Sequence, residues 1–165
     1  MKDLSKYRGI FPAFYACYDE QGAISPERVR ALTEYLIGKG VTGLYVGGSS
    51  GECIYQSAAE RKLLLENVMD AARGRIVIIA HVACNNTADS MELAAHAERL
   101  GVDAIAAIPP IYFHLPPYAV ANTGTTSPLL HRTPTSSSTT SRSLRVSHCR
   151  AACCIPCCRT RRSSV

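Results

Sequence analysis

Short apolar runs alternate with amphipathic stretches between residues 10 and 121, and the breaks between them carry glycine, proline and helix-capping residues. The run IFPAFYACY (10–18) predicts a first strand. Ser25 followed by Pro26 has the arrangement of an N-cap and a first helical residue, and the helix it opens extends to about Lys39, where Gly38 and Gly40 stop it. GLYVGG (43–48) predicts a second strand. Ser57 and Glu60 stand at capping-box spacing, and behind them Leu64, Val68 and Ala71 recur on one helical face up to a stop near Gly74. IVIIAHV (76–82) is apolar at nearly every position, as a strand covered on both faces should be. A helix from about Thr87 to Leu100 ends at Gly101, AIAAIPP (104–110) predicts a fourth strand, and the loop IYFHLPP leads to a helix starting at YAVA (118–121). There the pattern stops.

Alternating strands and helices joined by turns this short predict a parallel sheet or barrel. The fold class is therefore α/β, with two candidates: a (β/α)8 TIM barrel truncated to about its first four βα units, or a small doubly wound sheet. No G-x-G-x-x-G follows the first strand, which weakens the dinucleotide-binding version of the second.

Composition divides the chain where the periodicity ends. All 13 Asp and Glu lie in residues 1–121 together with 11 Lys and Arg, giving 11 − 13 = −2, whereas residues 122–165 hold seven Arg and no Lys, Asp or Glu. The formal net charge of +5 is thus the sum of two unlike parts. Seventeen of the last 44 residues are Ser or Thr, and Cys149, Cys153, Cys154, Cys157 and Cys158 are there too. A segment so poor in large apolar residues cannot offset its ordering entropy by burial, so 122–165 is expected to be a disordered, low-complexity tail behind a folded unit at 1–121. No apolar stretch approaches the roughly 20 residues of a membrane span, and the N-terminus has no secretory pattern, so a soluble cytoplasmic protein is expected.

The stretch richest in candidate chemistry is YVGGSSGE, Tyr45 to Glu52, at the C-terminal end of the second strand, where barrel enzymes carry their ligand loops. Two glycines before and one after allow a tight turn, in which backbone N–H groups and the hydroxyls of Ser49 and Ser50 can converge on an anion such as a carboxylate. A plain βα turn with polar filler is the competing reading. His81 and Cys84 have H-x-x-C spacing, but two ligands make no metal site and a packed strand-end histidine is the better reading of them. Cys154 and Cys157 in CRAACCIPCC have zinc-knuckle spacing without a regular second pair, and the basic tail has no aromatic residue on which a nucleic-acid base could stack.

Taken in order, GIFPAFYACYDEQGAI, GGSSGE, QSAAER, IIAHVACNNTADSMELAAHAERLGVDAI and PPIYF resemble the N-acetylneuraminate lyase and dihydrodipicolinate synthase family over residues 7–121, about the first four of its eight βα units. The resemblance implies a class I aldolase that needs no cofactor. A lysine on a later strand forms a Schiff base with pyruvate, a tyrosine relays protons, and a hydroxyl pair grips the pyruvate carboxylate. That pair falls on Ser49 and Ser50, beside Gly48; the family more often has threonine second, and serine keeps the hydroxyl. Tyr112 falls on a tyrosine that the synthase branch uses in a relay across subunits. YVGGSSGE, AHVAC and IPPIYF look more like the sialic-acid lyase branch than the synthase branch. Implied partners are pyruvate and a sugar acid, with homotetramers for full-length members; neither a membrane nor a nucleic acid is implied.

The family's Y-N-x-P tyrosine and G-[IV]-K lysine should follow position 121, and neither is present. A one-base deletion near codon 122 would explain this, because each tail codon would then supply the last two bases of the lost one. Under that rule SSSTTSR (136–142) decodes to a set containing F-V-I-Y-N-I-P, and Ser163, Ser164, Val165 and a following TGA decode to a set containing V-I-G-V-K. The hidden tyrosine falls at position 139 and the hidden lysine at 167, and 167 − 139 = 28 is the family's spacing. The chain is accordingly expected to be an inactive, self-associating lyase fragment with an out-of-frame tail. The alternatives are a fragment of the synthase of lysine biosynthesis and a non-enzymatic half barrel with a nucleic-acid- or zinc-binding arm.

Overall fold

The computed structural model describes residues 5–108. Three helices and three strands alternate: α1 (Pro26–Gly38), β1 (Gly43–Val46), α2 (Ala58–Ala72), β2 (Val77–His81), α3 (Thr87–Leu100) and β3 (Ala104–Ala106), with short 3-10 turns at Ser5–Tyr7 and Ser49–Gly51. The strands form one parallel sheet in the order β1-β2-β3, each joined to the next by a helix. Gly43 pairs with Val77 and Val46 with Ala80; Ile79 then pairs with Ala104 and His81 with Ala106.

The helices begin and end where local chemistry satisfies their loose backbone groups. The Ser25 side chain accepts from the Arg28 amide, with Pro26 in the first turn. Ser57 and Glu60 form the reciprocal capping box, Ser57 Oγ accepting from the Glu60 amide at 3.3 Å and Glu60 Oε2 from the Ser57 amide at 2.7 Å. Asn86 caps α3, and Gly101 closes it in the left-handed conformation, φ 74°.

The expected first strand is not a regular strand. Residues 10–18 run beside β1 but form a single bridge with it, Ala13 to Tyr45, apart from the Ile10 carbonyl, which accepts from the Thr42 and Gly43 amides, and Tyr18 bridges back to Ile24. Pro12 explains the interruption: it has no N–H to donate into the ladder, so pairing is confined to the bridge in which its carbonyl accepts from the Tyr45 amide and the Phe14 amide donates to the Tyr45 carbonyl. The segment nevertheless contributes Phe14, which is fully buried. Asp19 Oδ1 shapes the turn that follows by accepting from the amides of Gln21 and Ala23.

The core lies between sheet and helices. Leu44, Val46, Ile78 and Ala80, at alternate strand positions, pack with Val29 of α1, Leu64 and Val68 of α2, and Leu93, Ala94 and Ala97 of α3. Burying each of the larger side chains is worth roughly 1.5–3 kcal/mol. Polar contacts then fix the helices to one another: Arg30 pairs with Asn67 between α1 and α2, and His96 Nε2 donates to Glu66 Oε1 at 2.8 Å between α3 and α2. At the other end, Lys6 and Tyr7 bind Asp103, whose second carboxylate oxygen accepts from the Ile78 amide. Among the described residues no helix is long and apolar enough to cross a membrane. The last part of the expected fourth strand, the helix at 118–121 and the expected disordered tail all lie outside the described residues.

Candidate functional site

β1 ends at Val46, and the chain turns at once. Gly47 has φ 70°, a left-handed conformation that suits glycine, and Gly48 returns to an extended conformation before the 3-10 turn Ser49–Gly51. Gly48 and Gly51 serve a different purpose, close packing. A Cβ on Gly48 would lie 2.5 Å from the Tyr45 ring, and one on Gly51 would lie 2.5 Å from the Phe14 carbonyl oxygen. The turn is therefore seated on β1 and on the extended segment before it. Gln56 closes it from behind, its Nε2 donating to the Gly51 carbonyl at 3.2 Å and to the Tyr18 hydroxyl at 3.1 Å.

This seating buries Gly48 and Gly51 and leaves Ser49 and Ser50 exposed. The Gly51, Glu52 and Cys53 amides bond back into the turn, to the carbonyls of Gly48, Ser49 and Gly48, and the amides of Ser49 and Ser50 do not. The hydroxyls of Ser49 and Ser50 have no partner among the described residues. Two hydroxyls and two amides on a rigid turn form a donor set suited to a carboxylate. Tyr112 lies outside the described residues.

His81, last residue of β2, is 5% exposed. Its Nδ1 sits 2.9 Å from the Gly47 carbonyl oxygen and 3.2 Å from Arg61 Nη2. A carbonyl can only accept, so the proton is on Nδ1 and the Arg61 contact is not a hydrogen bond to that nitrogen. Burial, and then the positive charge of Arg61, push the His81 pKa down to about 4. Its Nε2 is buried without a partner in the described structure.

Arg61 is the residue that the sequence reading missed. It projects from α2 and is 5% exposed, with Nη2 donating to the His81 carbonyl at 2.6 Å and Nη1 donating to the Ala83 carbonyl and to Cys84 Sγ, both at 2.9 Å. A signal was present: Arg61 precedes Leu64, Leu65 and Val68 by three, four and seven positions, so a charged residue stands on the apolar stripe of its helix. His81 and Cys84 are thus brought together, but around a guanidinium, and among the described residues no three His, Cys, Asp or Glu side chains are grouped to hold a metal. Burial pushes the thiols of Cys53 and Cys84 up in pKa, against a downward pull from Arg61.

Known proteins share this chain's sequence and fold over part of their length. The N-acetylneuraminate lyase of Mediterraneibacter gnavus is 69% identical over 121 residues, which are 73% of this chain and 38% of that protein. The structure of a catalytic lysine mutant of Ruminococcus gnavus sialic acid aldolase superposes with a TM-score of 0.77 at 65% identity, over 78% of this chain and 42% of the aldolase. A dihydrodipicolinate synthase structure superposes less closely, with a TM-score of 0.65 at 29% identity over 70% of this chain and 40% of the synthase. The structural neighbours are TIM-barrel aldolases, so the three-stranded parallel sheet is part of a barrel rather than a doubly wound sheet. The chain spans about two fifths of the length of these relatives. Residues 6–122 match the dihydrodipicolinate synthetase family, and the chain belongs to that family.

Proposed function

We propose that residues 1–121 are the carboxylate-binding half of a Schiff-base-forming N-acetylneuraminate lyase, whose whole reaction is the reversible cleavage of N-acetylneuraminate to N-acetylmannosamine and pyruvate. The observation that carries this is the 69% identity to such a lyase across the stretch that holds the exposed Ser49 and Ser50 turn. In this reading both hydroxyls and the adjoining amides grip the pyruvate carboxylate, and Gly48 gives the turn its close seat on Tyr45.

Imine formation requires an amine, and the chain's four lysines are Lys2, Lys6, Lys39 and Lys62. Lys6 is paired with Asp103, Lys62 projects from α2 to pair with Glu92, and Lys39 caps α1, so none of these three stands at the C-terminal end of a strand. In this reading the chain is inactive as it stands, and residues 122–165 are an out-of-frame tail. The charge and composition break at 121 and the end of the family match at 122 support this. The exposed side chains of Ile10, Tyr15, Ile54 and Tyr55 support self-association, which sedimentation velocity would register as a concentration-dependent increase in mass.

The test has two arms. Titrating the labelled chain with pyruvate should shift the amide resonances of Ser49, Ser50 and Gly51, and the S49A/S50A double variant should lose those shifts. Pyruvate with borohydride should leave the mass unchanged. Shifts that persist in the double variant would end the carboxylate assignment, and a pyruvyl-lysine adduct would end the claim of inactivity.

A further inference from the structure

A guanidinium that is 5% exposed normally has a carboxylate beside it, because an unpaired buried charge is expensive. Arg61 has none among the described residues. Besides Cys84 Sγ, its partners are backbone carbonyls from the ends of two neighbouring strands: His81 at 2.6 Å, the last residue of β2, Ala83 at 2.9 Å just beyond it, and Gly47 at 3.5 Å after β1. A contact at 3.5 Å is weak, but Gly47 is also reached through His81, whose Nδ1–H donates to the same carbonyl at 2.9 Å. Arg61 fixes the backbone of His81, His81 fixes Gly47, and Gly47 starts the turn that presents Ser49 and Ser50. The planar fork suits this task, since its nitrogens diverge at fixed angles and an ammonium has no such geometry.

We propose that Arg61 is a positioning residue, which acts through His81 to set the Ser49–Ser50 turn in its carboxylate-binding shape. This rests on the assignment of that turn to pyruvate. Arg61 need not touch the ligand; what it supplies is order at three carbonyls before the ligand arrives.

The full chain, its R61M variant and its R61K variant would be compared by urea unfolding, amide hydrogen exchange and pyruvate titration. For R61M, loss of the charge-assisted bonds should weaken pyruvate binding by about tenfold or more. Exchange at Gly51, Glu52 and Cys53 should rise by a similar factor, with Leu44 and Ile78 amides changing only as far as global stability does. R61K keeps the charge without the fork, so it should recover the urea midpoint more fully than the pyruvate affinity. Full recovery of affinity in R61K, or turn exchange that follows global stability in both variants, would overturn the proposal. If R61M does not fold, R61K decides by the same two readouts. Should the parent chain not bind pyruvate, the carboxylate assignment falls, and turn exchange still decides whether Arg61 orders the turn.

Discussion

The imidazole of His81 donates from Nδ1 to the carbonyl oxygen of Gly47, 2.9 Å away, so the end of β2 holds the start of the turn after β1. Neutral histidine makes this bond in one tautomer only, the one with its proton on Nδ1, and leaves Nε2 bare. Protonating Nε2 would bury a charge in a site with almost no solvent and set it against Arg61, and these two effects, burial first, outweigh the Gly47 bond and bring the folded-state pKa down to about 4 from an ordinary 6.5.

That shift fixes the sign of a pH dependence. The unfolded chain takes up a proton at His81 below about pH 6.5 and the folded chain only near pH 4, so stability is complete above 6.5 and falls as pH drops between those values. A shift of about 2.5 units corresponds to roughly 3 kcal/mol by pH 4. The carboxylates of Glu34, Glu60 and Glu92, held below their usual range by Arg75, Ser57 and Lys62 respectively, lose their stabilisation only below about pH 4.5. Urea midpoints measured from pH 7.5 to 5 should therefore decline in the parent and decline less in H81Q.

Ser57→Ala removes the hydroxyl that accepts from the Glu60 amide and leaves one end of the capping box open. The expected cost is about 1 kcal/mol, seen as a lower urea midpoint with an unchanged slope. Because α2 carries Arg61 four residues further on, amide protection in the serine turn should weaken in the same variant.

Helices were the most legible part of this chain because their ends are written in short-range chemistry. Ser25 with Pro26, Ser57 with Glu60, and Gly101 each do locally what the sequence reading expected of them. Strand 10–18 was misread because its apolar content resembles a strand while the decisive fact, a missing donor at Pro12, acts through pairing with a partner distant in sequence. The serine turn was legible as a loop at a strand end. Its control by Arg61 was not, because the bonds that reach the turn go to backbone carbonyls, which leave no trace in residue identity.

Thiol reactivity offers an independent check on the packing behind the turn. Cys53 is buried, Cys84 is half-buried, and burial raises the pKa of both thiols. A protonated thiol is a poor nucleophile. Iodoacetamide at pH 7.5, followed by peptide mapping, should alkylate Cys53 more slowly than Cys84 in the native chain, and the difference should vanish in urea.

The glycines of the turn separate two kinds of constraint that look alike in sequence. At Gly47 an added Cβ meets only ordinary contacts, the closest being the His81 carbonyl oxygen at 3.5 Å, so Gly47→Ala is opposed chiefly by its φ of 70° and should cost about 1–2 kcal/mol. At Gly51 the same Cβ would lie 2.5 Å from the Phe14 carbonyl oxygen, a backbone atom of a fully buried residue that cannot swing aside. Gly51→Ala must therefore lift the turn off the extended segment beneath it, and the Gln56 bond to the Gly51 carbonyl would go with it. We expect Gly47→Ala to lower the urea midpoint while keeping the pyruvate-dependent shifts of Ser49 and Ser50, and Gly51→Ala to abolish those shifts. Equal pyruvate binding by the two variants would mean that the seat on Phe14 does not set the geometry of the hydroxyl pair.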